Sequence, residues 1–207
     1  MPKVHTAKAG KDYPSHDIKK GDTYYHWSFF RGPKMMSKTM PKRSQTTGSA
    51  KLSNILAVEE SLQAALSEAT CPEDVIAALD AAISDGQSSI DEYDEAISNL
   101  EDGFPNGCPA KDETEEARDN IQSWLDELEN AKSEVEHLNT SDYLDEEERM
   151  EEIKADLTEK LGRKATPDKV SDVFGRETFE WDDLSGDEQE AMLSDAQDTV
   201  NSISLEL

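Results

Sequence analysis

No apolar run in this chain approaches the roughly 18 residues that a membrane helix needs. The opening MPKVHTAKAGKDYP also lacks the hydrophobic centre of a secretory signal, so a cytosolic location in the cell that makes it is expected. Cysteine is equally sparse. Cys71 and Cys108 fall at opposite ends of an expected helix of about 28 residues, hence about 40 Å apart, too far to pair. Neither belongs to a CxxC pair or a His cluster, which excludes a zinc site of that kind. The histidines His5, His16, His26 and His137 stand apart from Cys or carboxylate clusters and read as ordinary surface or hairpin residues.

Signatures of catalysis are missing too. The sequence holds no GxGxxG, GxxxxGK[ST], HExxH or GxSxG pattern and no Asp-rich loop with EF-hand spacing. The acidic runs Asp145 to Glu148 and Glu151-Glu152 attract divalent ions diffusely but lack the geometry of a site. With 47 acids, carboxylate pairs of glycosidase type arise by chance, and nothing places one in an aromatic pocket. The expectation is a non-enzyme with no catalytic residues, cofactor or metal.

What is present is charge of two signs, segregated. Residues 1–51 hold eleven Lys+Arg against three acids, a net charge of +8, whereas the remaining 156 residues hold ten bases against 44 acids, a net charge of -34. Selection for solubility in high salt would act along the whole chain and does not explain this division. An apolar content of 35% supports one modest domain or two small ones.

In the basic part, Thr23 to Phe30 alternates as a strand, with Tyr25, Trp27 and Phe29 on one face and Tyr24, His26 and Phe30 on the other. Arg31-Gly-Pro-Lys34 supplies a turn before a second strand at Met35 to Thr39. Pro41 to Ser49 reads as a linker ending at the N-cap of a helix that carries Leu52, Ile55, Leu62 and Leu66. Next comes a seven-residue seam of Ile76, Ile83, Ile90 and Ile97, each followed three residues later by Leu79, Gly86, Tyr93 or Leu100. Gly86 costs about 1 kcal/mol of helix propensity at mid-helix, and a kink or hinge is expected there.

Glu101 to Asp112 contains two Pro and two Gly and must break the helix. A second seam of Ala117, Ile121, Trp124, Leu128, Ala131, Val135 and Leu138 then folds back on the first. Shorter helices follow at Asp145 to Leu161, from Thr166-Pro167, and from a capping box at Ser185 to Glu188. The last carries Leu193, Ala196, Val200 and Ile203. The expected fold class is mainly α: a small N-terminal β-hairpin module, an antiparallel coiled-coil-like α-hairpin and short C-terminal helices. The expected divisions are a basic module and linker over 1–48, an acidic helical region over 49–140 and an acidic C-terminal region over 141–207.

Two surfaces are candidates for binding. In the basic module, Tyr24, Tyr25, Trp27, Phe29 and Phe30 are interleaved with and flanked by Lys19, Lys20, Arg31, Lys34, Lys38, Lys42 and Arg43. Rings stack on bases and cations neutralise phosphates; equally, the rings serve as the core of a tiny domain with the lysines as its rim. In the α-hairpin, residues 73–100 and 113–139 hold 17 acids and two bases, a charge of -15 over about 40 Å, or one per about 2.7 Å. Duplex DNA carries one per about 1.7 Å. The exposed quartet Asp91, Glu92, Asp94 and Glu95 represents this face, which is otherwise a plain solvated surface.

The segment Ile18 to Thr47, through Lys19-Lys20-Gly21, Tyr24 to Phe29, Ser37-Lys38-Thr39, Pro41 and Ser44-Gln45-Thr46, resembles a module of small uncharacterised bacteriophage proteins that also carry an acidic helical region. Gly103 to Tyr143 is similar more loosely, through its Phe-Pro loop and the segment Trp124 to Leu128. The resemblance implies a phage origin and transfers no functional residues. The expected function is that of an accessory protein in the host cytoplasm that binds macromolecules, in its sharpest form a DNA mimic inhibiting a nucleic-acid enzyme. The alternative is a virion or assembly protein that self-associates through its seam. Expected partners are a protein and, weakly, nucleic acid at residues 1–51, without a membrane.

Overall fold

The aromatic run forms strand β2 (Thr23–Ser28), which pairs antiparallel with β3 (Lys34–Ser37) so that Ser28 faces Lys34 and Tyr25 faces Ser37. The computed structural model describes residues 2–30, 32–104, 106–161, 164–175 and 178–206. Arg31, in the expected turn, lies outside them. The expected two-stranded hairpin is corrected to a three-stranded sheet. Strand β1 (His5–Lys8) pairs on the other side of β2, His5 opposite His26 and Lys8 opposite Thr23. Three strands solve the marginal stability of a lone hairpin. Tyr24 and Trp27, an odd number of residues apart, point to opposite faces, and both are buried.

The connection between β1 and β2 explains the Lys-Lys-Gly motif. Gly21 adopts φ +94° and donates its N–H to Ala9 O at 2.8 Å, a conformation that favours glycine. Asp12 and Asp22 accept the backbone N–H groups of Lys20 and Lys19 at 2.6 and 3.0 Å. Ile18, Ala9 and Tyr24 form the small core beneath this loop. The Ser-Lys-Thr motif ends β3 with a local turn in which Ser37 Oγ accepts from Thr39 N at 3.2 Å.

Among the described residues six α-helices follow: α1 (Ala50–Glu68), α2 (Pro72–Gly103), α3 (Pro109–Glu136), α4 (Glu146–Leu161), α5 (Pro167–Phe174) and α6 (Gly186–Asn201). Ser49 caps α1 by accepting from Leu52 N, and Ser185 with Glu188 forms the capping box of α6. Cys71-Pro72 and Cys108-Pro109 open α2 and α3 in the same way, Cys at the N-cap and Pro in the first turn. Both thiols are free. Between these helices Gly107 takes φ +83° where the chain reverses.

The two seams meet as an antiparallel hairpin, but other helices also cover them. Leu79, Ile90, Ile121, Trp124, Leu125, Leu128 and Val135 share one core with Ile55, Leu56, Leu62 and Leu66 of α1 and Ala196 and Val200 of α6. Each fully buried aliphatic side chain there contributes about 1.5–3 kcal/mol. Gly86 is not a kink, because α2 runs unbroken through it. A Cβ built at Gly86 would overlap Leu125 Cδ2, so the glycine is a notch that lets α3 approach. No described helix is long and apolar enough to cross a membrane.

Candidate interaction surfaces

A node on α1 joins the basic module to the helices. Ser44 donates its backbone N–H to Glu60 Oε1 at 3.0 Å and its hydroxyl to Glu60 Oε2 at 2.6 Å, while its carbonyl accepts from Ser53 Oγ at 2.8 Å. The neighbouring Glu59 accepts from Arg43 at 3.1 Å and from Leu205 N at 3.1 Å. The Ser-Gln-Thr motif is thus a joint, a 3-10 turn at Ser44–Thr46 clamped onto one helix. The sheet itself makes no extensive contact with α2 or α3 among the described residues, so its cations are not spent on the acidic face.

Within the module Lys19, Lys20, Lys34, Lys38, Lys42 and Arg43 are exposed, Tyr25 and Phe29 are half-buried, and Tyr24 and Trp27 are core residues. Tyr24 and Trp27 therefore present no open ring for stacking. Phe29 lies against Gly48. The aromatic side chain most open to solvent is Phe30, 89% exposed. Lys38 lies 3.5 Å from Asp17 and 3.9 Å from Asp22, and Arg43 is held by Glu59. Lys34 sits over the Tyr24 ring, 5.8 Å from its centre.

This pairing polarises the module. Asp17 and Asp22 gather beside Lys38 at one end of the sheet. At the other end Lys3, His5, His26, Trp27, Ser28 and Lys34 line an open cleft of about 550 Å³ with no carboxylate in its wall. His5 and His26 stack with ring centres 5.4 Å apart. Burial, then Lys34 and His5, push the His26 imidazole below its usual pKa. Sequence reasoning missed this pair because His5 and His26 become neighbours only through the β1–β2 register. The weak signal was the alternation of Ala7 and Ala9, which pack with the Tyr24 cluster.

The acidic quartet is brought together on one exposed stretch of α2. Helices α2 and α3 hold 20 acids and three bases, a net charge of -17 along about 48 Å. All three bases are paired within the hairpin: Lys111 with Glu101 and Glu115, Arg118 with Asp94 and Asp119, Lys132 with Asp80 and Glu136. Lys51 of α1 donates to the Glu92 carbonyl and covers the Tyr93 ring at 5.5 Å. Of the quartet, Asp94 alone joins a described ion pair, so most of the hairpin's carboxylates face solvent.

Among the described residues no group of three or more His, Cys, Asp or Glu is arranged to hold a metal ion. No protein-family model, curated protein or solved structure matches this chain.

Proposed function

We propose that this chain is a non-enzymatic bacteriophage accessory protein whose acidic α-hairpin docks into the basic groove of a nucleic-acid-handling protein, as a mimic of DNA. The observation that carries this reading is the exposed array of carboxylates on α2 and α3, whose three bases are already engaged inside the hairpin. Its density, one net charge per about 2.8 Å, is more than half that of duplex DNA and draws on the same long-range attraction. A separate partner is favoured over a second copy of the chain because the α2 seam from Ile76 to Tyr93 packs into a core shared with α1, α3 and α6. The basic module offers its exposed cations to nucleic acid or to an acidic protein face, with Tyr24 and Trp27 buried and Phe30 open to solvent.

The test is capture of proteins from infected cells on the full-length chain, followed by elution with duplex DNA or salt. Capture of a nuclease, polymerase or other DNA-binding protein, displaced by DNA and reduced by D91N/E92Q/D94N/E95Q, supports the proposal. A partner that stays bound in high salt, or holds DNA and this chain together, would sink it. Recovery of a virion subunit under those conditions favours the assembly role instead.

A further inference from the structure

Where the start of α1 meets the hairpin, a cleft of about 490 Å³ opens between α1 and α3, a size suited to a small organic group. Its floor is apolar: Leu52 of α1, Tyr93 of α2 and Ala117 of α3 line it, and all three belong to or pack against the main core. Tyr93 follows Gly86 by seven residues and so lies on the same face of α2, the face that meets Leu125 of α3. Only 6% of Tyr93 is exposed, yet among the described residues its hydroxyl makes no hydrogen bond and is not closed off from solvent. Glu113 and Glu116, one turn apart on α3, stand at the rim, exposed and in no ion pair among the described residues. The cations nearby are committed elsewhere: Lys111 to Glu101 and Glu115, Arg118 to Asp94 and Asp119, Lys51 to the Glu92 carbonyl. None of the three lines the cleft.

These groups select their occupant by chemistry. Two glutamates repel an anion. A hard metal ion such as calcium needs about six to eight oxygen ligands, and the apolar floor supplies none. A neutral apolar guest covers the floor but strips water from the carboxylates and the phenol without replacing it. An alkyl chain ending in a cation satisfies both parts, with its stem on the floor and its head among the oxygens. The Tyr93 ring already accepts a cation from within the chain, since Lys51 covers it at 5.5 Å. We infer that this cleft binds an alkyl chain ending in a guanidinium or ammonium group, the head engaged by Glu113, Glu116 and the Tyr93 hydroxyl and the stem laid over Leu52 and Ala117. Arginine and lysine side chains and linear polyamines share that chemistry. The inference does not rest on DNA mimicry, because one cleft holds the guest and the summed field of the hairpin is not required; where a basic partner does dock, the cleft gives one of its side chains a fixed seat.

The experiment uses the full-length, isotope-labelled chain at constant ionic strength and follows the Tyr93 ring resonances, identified by comparison with Tyr93→Phe. N-acetylarginine amide, N-acetyllysine amide and spermidine are titrated separately. N-acetylnorleucine amide, which keeps the stem without the charge, and ammonium chloride, which keeps the charge without the stem, are the controls. The expected result is a saturable shift with the cationic probes and affinity about tenfold weaker in E113Q/E116Q. Tyr93→Phe, followed by the Ala117 methyl resonance, should lose a smaller factor. E190Q/D198N, which removes the same charge from α6, should bind like the wild type. Binding of both amides assigns the cleft to protein side chains, and binding of spermidine alone to a free polyamine. No saturable shift with any cationic probe, or an equal response to norleucine amide or to ammonium chloride, would overturn the proposal. So would an equal loss of affinity in E113Q/E116Q and E190Q/D198N, each checked for native circular dichroism, because the charge of the whole chain would then account for binding.

Discussion

Ser44 gives both its backbone N–H and its hydroxyl to the carboxylate of Glu60, at 3.0 and 2.6 Å, and so fixes the end of the linker to the second half of α1. Bonds to a charged acceptor contribute about 1.5–3 kcal/mol each. Ser44→Ala removes one of the two and leaves the backbone bond. We expect a loss in the lower part of that range in urea unfolding. Glu60→Ala removes both acceptors and should also expose residues 41–48 to proteolysis, whereas Glu60→Gln, which keeps an acceptor oxygen, should be intermediate. Equal cleavage of all three variants and the wild type would mean that the joint is held by other contacts.

Gly86 faces Leu125 across the α2–α3 interface, where an added methyl group would overlap Leu125 Cδ2 and lie 3.4 Å from Cδ1 and Cγ. Alanine recovers about 1 kcal/mol of helix propensity, but overpacking a filled core costs about 1–3 kcal/mol. Leu125 is only 2% exposed and has little room to yield. Gly86→Ala should therefore destabilise the chain, and the penalty should shrink when Leu125 is also shortened to Ala. A double-mutant cycle by chemical unfolding checks this. Additive effects would mean that contact with Leu125 does not set the cost of a side chain at Gly86.

That position also shows where sequence reasoning runs out. The heptad spacing of Ile76 to Ile97 located α2 correctly, because a long apolar stripe leaves a period that local loops cannot erase. Caps at Ser49 and Ser185 and the proline starts were legible for the same reason, as chemistry within four residues of the event. A packing partner is not local. Leu125 stands one position from Trp124, outside the expected seam, and is nonetheless buried because α3 presses it onto the notch at Gly86. Strand β1 was hidden because His-Thr-Ala-Lys carries no large apolar side chain, and with it the His5–His26 pair was lost. The acidic quartet needed no tertiary information, since exposure of four carboxylates in five residues follows from solvation alone.

Tyr143 donates its hydroxyl to Asp195 at 2.8 Å, tying the segment after α3 to α6. Burial first, and then the Asp195 carboxylate, push the phenol up to about 12. In the unfolded chain it ionises near the ordinary value of about 10. The folded state thus holds its proton longer, and the associated stability is complete below about pH 10 and is lost as pH rises toward 12. Tyr143→Phe should cost about 1 kcal/mol at neutral pH and show a shallower alkaline loss of stability than the wild type. Ultraviolet titration of the phenolate, taken as a difference between the two chains, should show one late-ionising tyrosine. Ionisation at the ordinary value would remove Asp195 as its partner.

The acidic face should exist at the expense of stability. Asp91 and Glu95 are four residues apart on α2, and Asp91–Asp94 and Glu92–Glu95 are three apart, so like charges meet on one exposed helix face. At low ionic strength, where the screening length is about 30 Å at 0.01 M, the -17 charge of the hairpin repels itself over most of its length; near 0.15 M that length falls to about 8 Å. The wild-type melting temperature should rise with added sodium chloride. D91N/E92Q/D94N/E95Q should melt about 2–4 °C higher than the wild type in low salt, as relief of about 1 kcal/mol implies, and should respond less to salt. Arg118→Gln should move the other way, though by less than about 1 kcal/mol, because it frees Asp94 from its cross-helix partner at 3.5 Å. Scanning calorimetry across a salt series measures all three. A melting temperature indifferent to salt would mean that the carboxylates are already neutralised pairwise, leaving no net field for a basic groove to meet.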